Sequence, residues 1–346
     1  SLRCLSVTIV AISMIVSLCV HRPVISRSIQ IRLFVRSLAA VMMHAVYTSD
    51  MHLATVTATY SRRMRLRLDD GGDVDARIKG KRLKAVCGDR VETKPLPNES
   101  DWLITRILDR RNELTRPNMR GQVEVLAANI DYLLVVAAAE PRPDWFIVDR
   151  YLCAAELMGV DAGILFNKID LVAESPEQEL RVYRLMGYDV ECCSAMTGDG
   201  MDEIRALLKQ HCSIIVGQSG VGKSSIINEL VGDAVQSTSE ISGKTREGRH
   251  TTVNSAMIPL PGGGNIIDSP GVRDYAPALD DVAAAAQGFR EIRNAAQGCR
   301  FANCQHLREP GCAVKDDVES GAISARRYES FKRIVNLTRQ LAAGKY

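Results

Sequence analysis

The sequence has no internal repeat, no long low-complexity tract and no apolar run of the roughly 20 residues that a membrane-spanning helix needs. Repeat arrays, collagen-like fibres and multi-span membrane proteins are thereby excluded. Hydrophobic residues at 46% and charged residues at 25% also exclude wholesale disorder. Net charge is scarce as well, +3 overall, but unevenly spread. Residues 61–94 hold eleven Lys/Arg against six Asp/Glu, and residues 321–346 hold six against one, so each stretch carries +5 and the remainder −7. Two basic flanks around an acidic middle predict flanks that touch a polyanion, although basic runs are also common as solvated faces. Ten cysteines are scattered along 346 residues, too sparse for a disulfide framework and suited to a reducing compartment.

A chain of this length predicts two or three domains. Residues 5–20 form an uncharged, mostly apolar run of sixteen, short for a span and without a small-residue cleavage pattern after it. Residues 1–50 are read as an extension outside the functional core, with Met51 as a candidate start. A signal peptide or peripheral anchor is the alternative.

Short alternating segments at 55–60, 64–68 and 74–78, broken by Asp69-Asp70-Gly71-Gly72 and Gly80, predict a small antiparallel β unit that fits a five-stranded barrel. Arg62, Arg63, Arg65 and Arg67 lie in or beside one strand, and Lys79, Lys81, Arg82 and Lys84 follow another. A basic small barrel fits a nucleic-acid binder, with an oligosaccharide or protein as alternatives. Beyond Pro117, apolar strands at 132–137, 163–166, 189–193, 213–216 and 265–267 alternate with helices at 145–158, 176–186, 202–211 and 223–231. That alternation predicts a mostly parallel sheet covered on both faces, with ligands at its carboxyl edge. Two helical segments bracket a Cys/His cluster after residue 281. The predicted domains are 51–115, 116–280 and 281–346.

Gly217-Gln218-Ser219-Gly220-Val221-Gly222-Lys223-Ser224 fits G-x-x-x-x-G-K-[ST] between a strand and a helix, with Ser225 next. Glycines let backbone N–H groups curl around phosphates, Lys223 reaches the β and γ oxygens, and the Ser224 hydroxyl ligates Mg²⁺. Asn167-Lys168-Ile169-Asp170 ends another strand and selects the base. A carboxylate at Asp170 accepts from guanine N1–H and its exocyclic amine, a donor pair adenine lacks. Asn167 holds the base edge, and the Lys168 stem packs over the purine. Ser194-Ala195 resembles the short element whose backbone N–H meets guanine O6. Asp268-Ser269-Pro270-Gly271 fits D-x-x-G, with Asp268 on Mg²⁺ through water and Gly271 on the γ-phosphate.

The polar segment 236–252 reads as a switch ordered by the γ-phosphate and Mg²⁺, with Thr252 as the second Mg²⁺ hydroxyl and Thr251 as the alternative. Base recognition precedes the phosphate loop in the chain, which reverses the usual order of a GTPase and marks a circular permutation. Valine at 272 cannot orient a water as glutamine does, so His250 becomes the catalytic candidate, with surface solvation or RNA contact as its other readings. Cys299, Cys304, His306 and Cys312 supply three sulfurs and an imidazole within fourteen residues, the donor set of a closed tetrahedral zinc site, with a redox pair as the alternative. The basic helix carrying Arg326, Arg327, Lys332 and Arg333 is then placed to face RNA.

Together these motifs resemble the RsgA family of small-subunit-dependent GTPases. They include Ala128-Asn129-Ile130-Asp131, Gly248-Arg249-His250-Thr251-Thr252 and Glu309-Pro310-Gly311-Cys312. The resemblance covers about residues 54–346. It implies an OB-fold, then a permuted GTPase domain, then a mainly helical zinc domain. It also implies GTP hydrolysis stimulated by the small (30S) ribosomal subunit in late maturation, with rRNA, GTP and GDP as partners and one structural Zn²⁺ beside the Mg²⁺ that accompanies GTP. The switch histidine of the family matches His250. Val253 stands where relatives often carry a third threonine, and residues 1–50 match nothing in the family. A cytoplasmic monomer without stable membrane association is expected. An RNA-binding scaffold and a GTPase tethered through residues 5–20 are the competing readings.

Overall fold

The computed structural model describes residues 51–61, 63–78, 84–117, 122–172, 176–232, 253–269 and 282–342. Its first five strands are β1 His52–Tyr60, β2 Met64–Leu68, β3 Asp73–Ile78, β4 Arg90–Pro95 and β5 Trp102–Ile107. β1 pairs with β2, β2 with β3, β3 with β5, β5 with β4, and β4 returns to β1, so the five strands close into a barrel. Small and branched side chains of alternate residues fill it: Ala54, Val56, Leu66, Ala76, Val91 and Ile104.

The outward arginines of β2 do not form a free cationic face. Antiparallel register sets Arg65 opposite Asp75 and Arg67 opposite Asp73, and the side chains pair at 3.1 and 3.2 Å. Arg90 pairs with Asp69, and Arg77 with Asp101. The arginine-rich character read from the sequence is thus offset by carboxylates within the barrel. Arg62, Lys79, Lys81 and Arg82 lie outside the described residues.

A hairpin, β6 Glu113–Pro117 and β7 Val123–Ala128, leads to β8 Tyr132–Ala138, β9 Asp161–Asn167, β10 Asp189–Cys192, β11 Cys212–Gly217, β12 Val253–Pro259 and β13 Asn265–Asp268. The sheet runs β10-β9-β8-β11-β13-β12, parallel except for β12. β12 continues onto barrel strand β1, joining barrel and sheet through backbone hydrogen bonds. Neither this strand nor the hairpin was predicted from the sequence.

Helices α1 Trp145–Met158 and α2 Glu177–Leu185 cover one face, packing Tyr151, Leu152 and Leu180 against Leu133, Val135 and Ile164. Helices α3 Met201–Leu208 and α4 Lys223–Val231 cover the other, with Ile204, Leu208 and Ile226 against Leu134, Val136 and Leu165. Residues of both parities along β8 are therefore buried, which is why it reads as one apolar run. α1 occupies the predicted span because Asp144 caps its start, accepting from the Phe146 N–H, and left-handed Gly159 ends it. α3 stops at Leu208, short of the predicted His211, where Gln210 enters the left-handed region at φ 71°.

The chain ends in α5 Val282–Gln287, α6 Arg290–Ala295, α7 Ala313–Glu319 and α8 Ala325–Ala342 around Phe289, Ile292, Val314 and Phe331. Cys153 of α1 belongs to the same cluster, so this helical unit packs on the back of α1. Among the described residues no helix is long and apolar enough to cross a membrane; residues 5–20 lie outside them.

Candidate functional site

Register places the motif-bearing ends of four strands at one edge of the sheet. Ala138 lies beside Asn167, Val136 beside Gly217, and Cys192 beside Phe166, while β13 runs parallel to β11 up to Asp268. Segments separated by up to a hundred residues in the chain thus converge at the carboxyl ends of parallel strands, where open α/β sheets bind ligands.

The phosphate-loop backbone is built for close approach. Gly217 sits at φ 138° beside β8, where a Cβ would fall 2.2 Å from the Val136 carbonyl oxygen. The residue before α4 is Gly222, which has no side chain to cap the helix, and such an N-terminus suits an anion. Lys223 lies folded over the loop, its Nζ donating to the carbonyls of Gly217 and Gln218 at 2.8 and 2.7 Å. Ser219, Ser224 and Ser225 are exposed, whereas Val221 is buried and anchors the loop in the α3–α4 core.

Asn167, buried at the end of β9, ties the base-selecting segment to this loop. Its Nδ2 donates to the Val221 carbonyl at 2.9 Å, and its Oδ1 accepts from the Ala195 N–H at 3.1 Å. Lys168 is left-handed at φ 66° and donates from Nζ to the carbonyls of Gly220 and Glu140 at 2.9 and 2.6 Å. The Glu140 contact brings the loop after β8 into the site, a contribution from a main-chain oxygen that no side-chain motif reveals. Ser194 accepts from the N–H groups of Met196 and Thr197, which directs its own proton to Asp170 Oδ1 at 2.5 Å. Asp170 itself is exposed at the mouth, so one carboxylate oxygen is oriented from behind while the group faces outward.

Ser224 and Asp268 offer a hydroxyl and a carboxylate, oxygen donors that fit a hard divalent cation such as Mg²⁺. His250, Thr251, Thr252 and Gly271 lie outside the described residues.

The C-terminal cluster is a second, separate site. The ligand atoms of Cys299, Cys304, His306 and Cys312 all lie within 4.8 Å of one another. Cys299 Sγ is 3.9 Å from Cys312 Sγ and 3.4 Å from His306 Nδ1, and Cys312 Sγ is 3.6 Å from the same nitrogen. A tetrahedron with metal–sulfur bonds of about 2.3 Å has edges of about 3.8 Å, so the spacing fits a shared ion, and the three cysteines are free of disulfides. Burial pushes the His306 pKa down against the opposing pull of Glu309, favouring the neutral imidazole that ligates metals. Tyr328 of α8 donates to the His306 carbonyl at 2.6 Å, and Glu309 accepts from the N–H groups of Gln305, Leu307 and Arg308. The loop is thereby shaped by its own second layer of hydrogen bonds.

Arg326 and Arg327 do not face outward as the sequence suggested. Arg327 is 1% exposed and bridges Asp149 of α1 at 2.8 Å to Glu291 of α6 at 2.5 and 3.0 Å. Arg326 donates to Asp149 at 2.8 Å and to the Tyr183 hydroxyl at 2.9 Å. Glu156 of α1 receives Arg290 and Arg293. These arginines bolt the helical unit to the sheet domain. Arg333 lies over the Phe146 ring, and Lys332 pairs with Glu329.

Comparison with known proteins agrees with this geometry. The family model described as RsgA GTPase matches residues 107–277. The small ribosomal subunit biogenesis GTPase RsgA of Ectopseudomonas mendocina is 44% identical over 260 residues, 72% of this chain and 74% of that protein. The protein of that name from Pseudomonas aeruginosa is 39% identical over 287 residues, 81% of this chain and 84% of its own length. Among solved structures, YjeQ from Thermotoga maritima superposes with a TM-score of 0.64 at 27% identity, covering 83% of this chain and 98% of that one. YloQ, described as a circularly permuted GTPase, shares the fold with a TM-score of 0.64 at 23% identity, covering 84% and 96%.

Proposed function

The chain belongs to the RsgA GTPase family, and on that premise we propose that it hydrolyses GTP under stimulation by the small (30S) ribosomal subunit, late in the biogenesis of that subunit. The observation that carries the reading is the joint closure of two motifs: Asn167 and Lys168 bond to the phosphate loop at Val221 and Gly220, both at 2.9 Å. A base held by Asp170 and a phosphate tail held by the loop are then two ends of one ligand.

In this reading Asp170 takes guanine N1–H and the exocyclic amine, Asn167 and the Ser194-Ala195 turn frame the base edge, and Lys168 lines its face. Gly217, Gln218, Ser219, Gly220, Val221, Gly222 and Ser225 wrap the phosphates with backbone and hydroxyl groups, and Lys223 swings from its loop carbonyls to the β and γ oxygens. Ser224, Asp268 and Thr252 would hold Mg²⁺, which supplies positive charge against the developing phosphoryl charge. Gly271 meets the γ-phosphate, and His250 orients the attacking water in place of the missing glutamine. Cys299, Cys304, His306 and Cys312 hold one structural Zn²⁺. The functional divisions are 51–115, 116–280 and 281–346, acting as a monomer in the cytoplasm on rRNA of the small subunit.

GTP and ATP turnover, with and without purified 30S subunits, tests the reading. GTP-selective turnover that rises with 30S and falls in His250→Ala is expected. Absence of hydrolysis above background in both conditions would instead favour an RNA-binding scaffold.

A further inference from the structure

Strand β12 is hydrogen-bonded on both sides, and Ser255 lies between its two neighbouring strands. On one side Ser255 is registered with Thr59 of barrel strand β1. On the other, the next residue, Ala256, is registered with Asp268 of β13, so Ser255 faces the residue after that carboxylate. The side chains meet there: Ser255 Oγ donates to Ser269 Oγ at 2.9 Å, with the two residues 6% and 8% exposed.

Ser269 directly follows Asp268 and opens the segment toward Gly271. Hydroxyls buried to this degree are costly to leave unpaired, so the contact ties the Ser269 side chain to β12. β12 is itself held by β1, which gives Ser255 an anchor that does not depend on the nucleotide. We propose that Ser255 is a positioning residue: by holding Ser269 against the barrel-anchored strand, it sets the orientation of Asp268 toward Mg²⁺. The inference rests on the reading of Asp268 as a magnesium-side carboxylate.

The test uses the full chain loaded with a fluorescent GDP analogue, following its dissociation across a Mg²⁺ titration. Removing the Ser255–Ser269 hydrogen bond through Ser255→Ala or Ser269→Ala is expected to raise the Mg²⁺ concentration for half-maximal retention by about three- to tenfold. The double variant is expected to shift no further than the more severe single one, because the shared contact is already lost there. Ser255→Thr, which keeps the hydroxyl, is expected to stay near wild type, and Ser269→Ala probes the contact should Ser255→Ala fail to fold. Asp268→Asn serves as the reference. If it shifts the curve while Ser255→Ala and Ser269→Ala do not, or if their effects add, the positioning role is refuted. If Asp268→Asn leaves the curve unmoved, the underlying site reading fails instead.

Discussion

A Cβ built on Gly222 would fall 2.4 Å from the Nδ2 of Asn167, the atom that donates to the Val221 carbonyl. Glycine is required here twice, since φ is 94° and the vacant position is filled by the base-selecting asparagine. Gly222→Ala therefore attacks the joint between the two halves of the site. Strain of about 1–3 kcal/mol predicts a loss of GDP affinity of about 5- to 150-fold. Equilibrium titration with a fluorescent GDP analogue measures it, and affinity close to wild type would mean that the two motifs are not coupled through this contact.

Asp170 is oriented by Ser194 and otherwise open to the ligand, so its charge is available for the donor edge of guanine. Asp170→Asn replaces one acceptor oxygen by a donor and removes the charge. Hydrogen bonds to a charged group contribute about 1.5–3 kcal/mol, which predicts a fall in GTP affinity of about 10- to 150-fold and a shift of preference toward xanthosine nucleotides. Competition between GTP and XTP reads both effects. Unchanged guanine preference would overturn the base assignment.

What the sequence disclosed was local in nature. The span 145–158 was legible because its cap and its terminating glycine lie within one residue of its ends, and the phosphate loop because glycine spacing carries its own geometry. β12 was missed because Asn254, Ser255 and Pro259 break any apolar alternation in it, and its place between β13 and β1 comes from partners far away in the chain. The inward turn of Arg326 and Arg327 was hidden for the same reason: Asp149 lies 177 and 178 residues away. The barrel pairs were recoverable, since Arg65 and Arg67 stand in hairpin alternation with Asp75 and Asp73 across a Gly-Gly turn.

The cysteine cluster predicts a folding dependence confined to the C-terminal unit. Tyr328 and Phe331 of α8 pack on His306, so an ion shared by the four residues would fix the loop 299–312 against which α8 rests. Cys304→Ser removes one thiolate from a closed set. Stoichiometric zinc is expected in the wild-type protein by elemental analysis and substoichiometric zinc in the variant, with a lowered unfolding midpoint for the C-terminal unit. GDP binding, which draws on none of these four residues, is expected to change little. Retention of one zinc per chain would exclude Cys304 as a ligand.

The Asp149–Arg327–Glu291 bridge should dominate the attachment of that unit, and the contrast with surface pairs can be measured. Burial by itself lowers an arginine pKa, but Asp149 and Glu291 override it and hold Arg327 well above its ordinary value, so the guanidinium stays charged in the interior. Arg327→Met would leave two buried carboxylates with less compensation, a type of loss that costs about 3–5 kcal/mol. Asp149→Asn should cost less, because Glu291 still pairs with Arg327 and the amide can keep part of the hydrogen bonding. Arg67→Ala, which breaks the exposed pair with Asp73, should cost at most about 1 kcal/mol. Denaturant midpoints for the three variants should fall in that order, with the buried effect insensitive to added salt. If Arg327→Met proved no more harmful than Arg67→Ala, the buried bridge would not be what fastens α8 to α1.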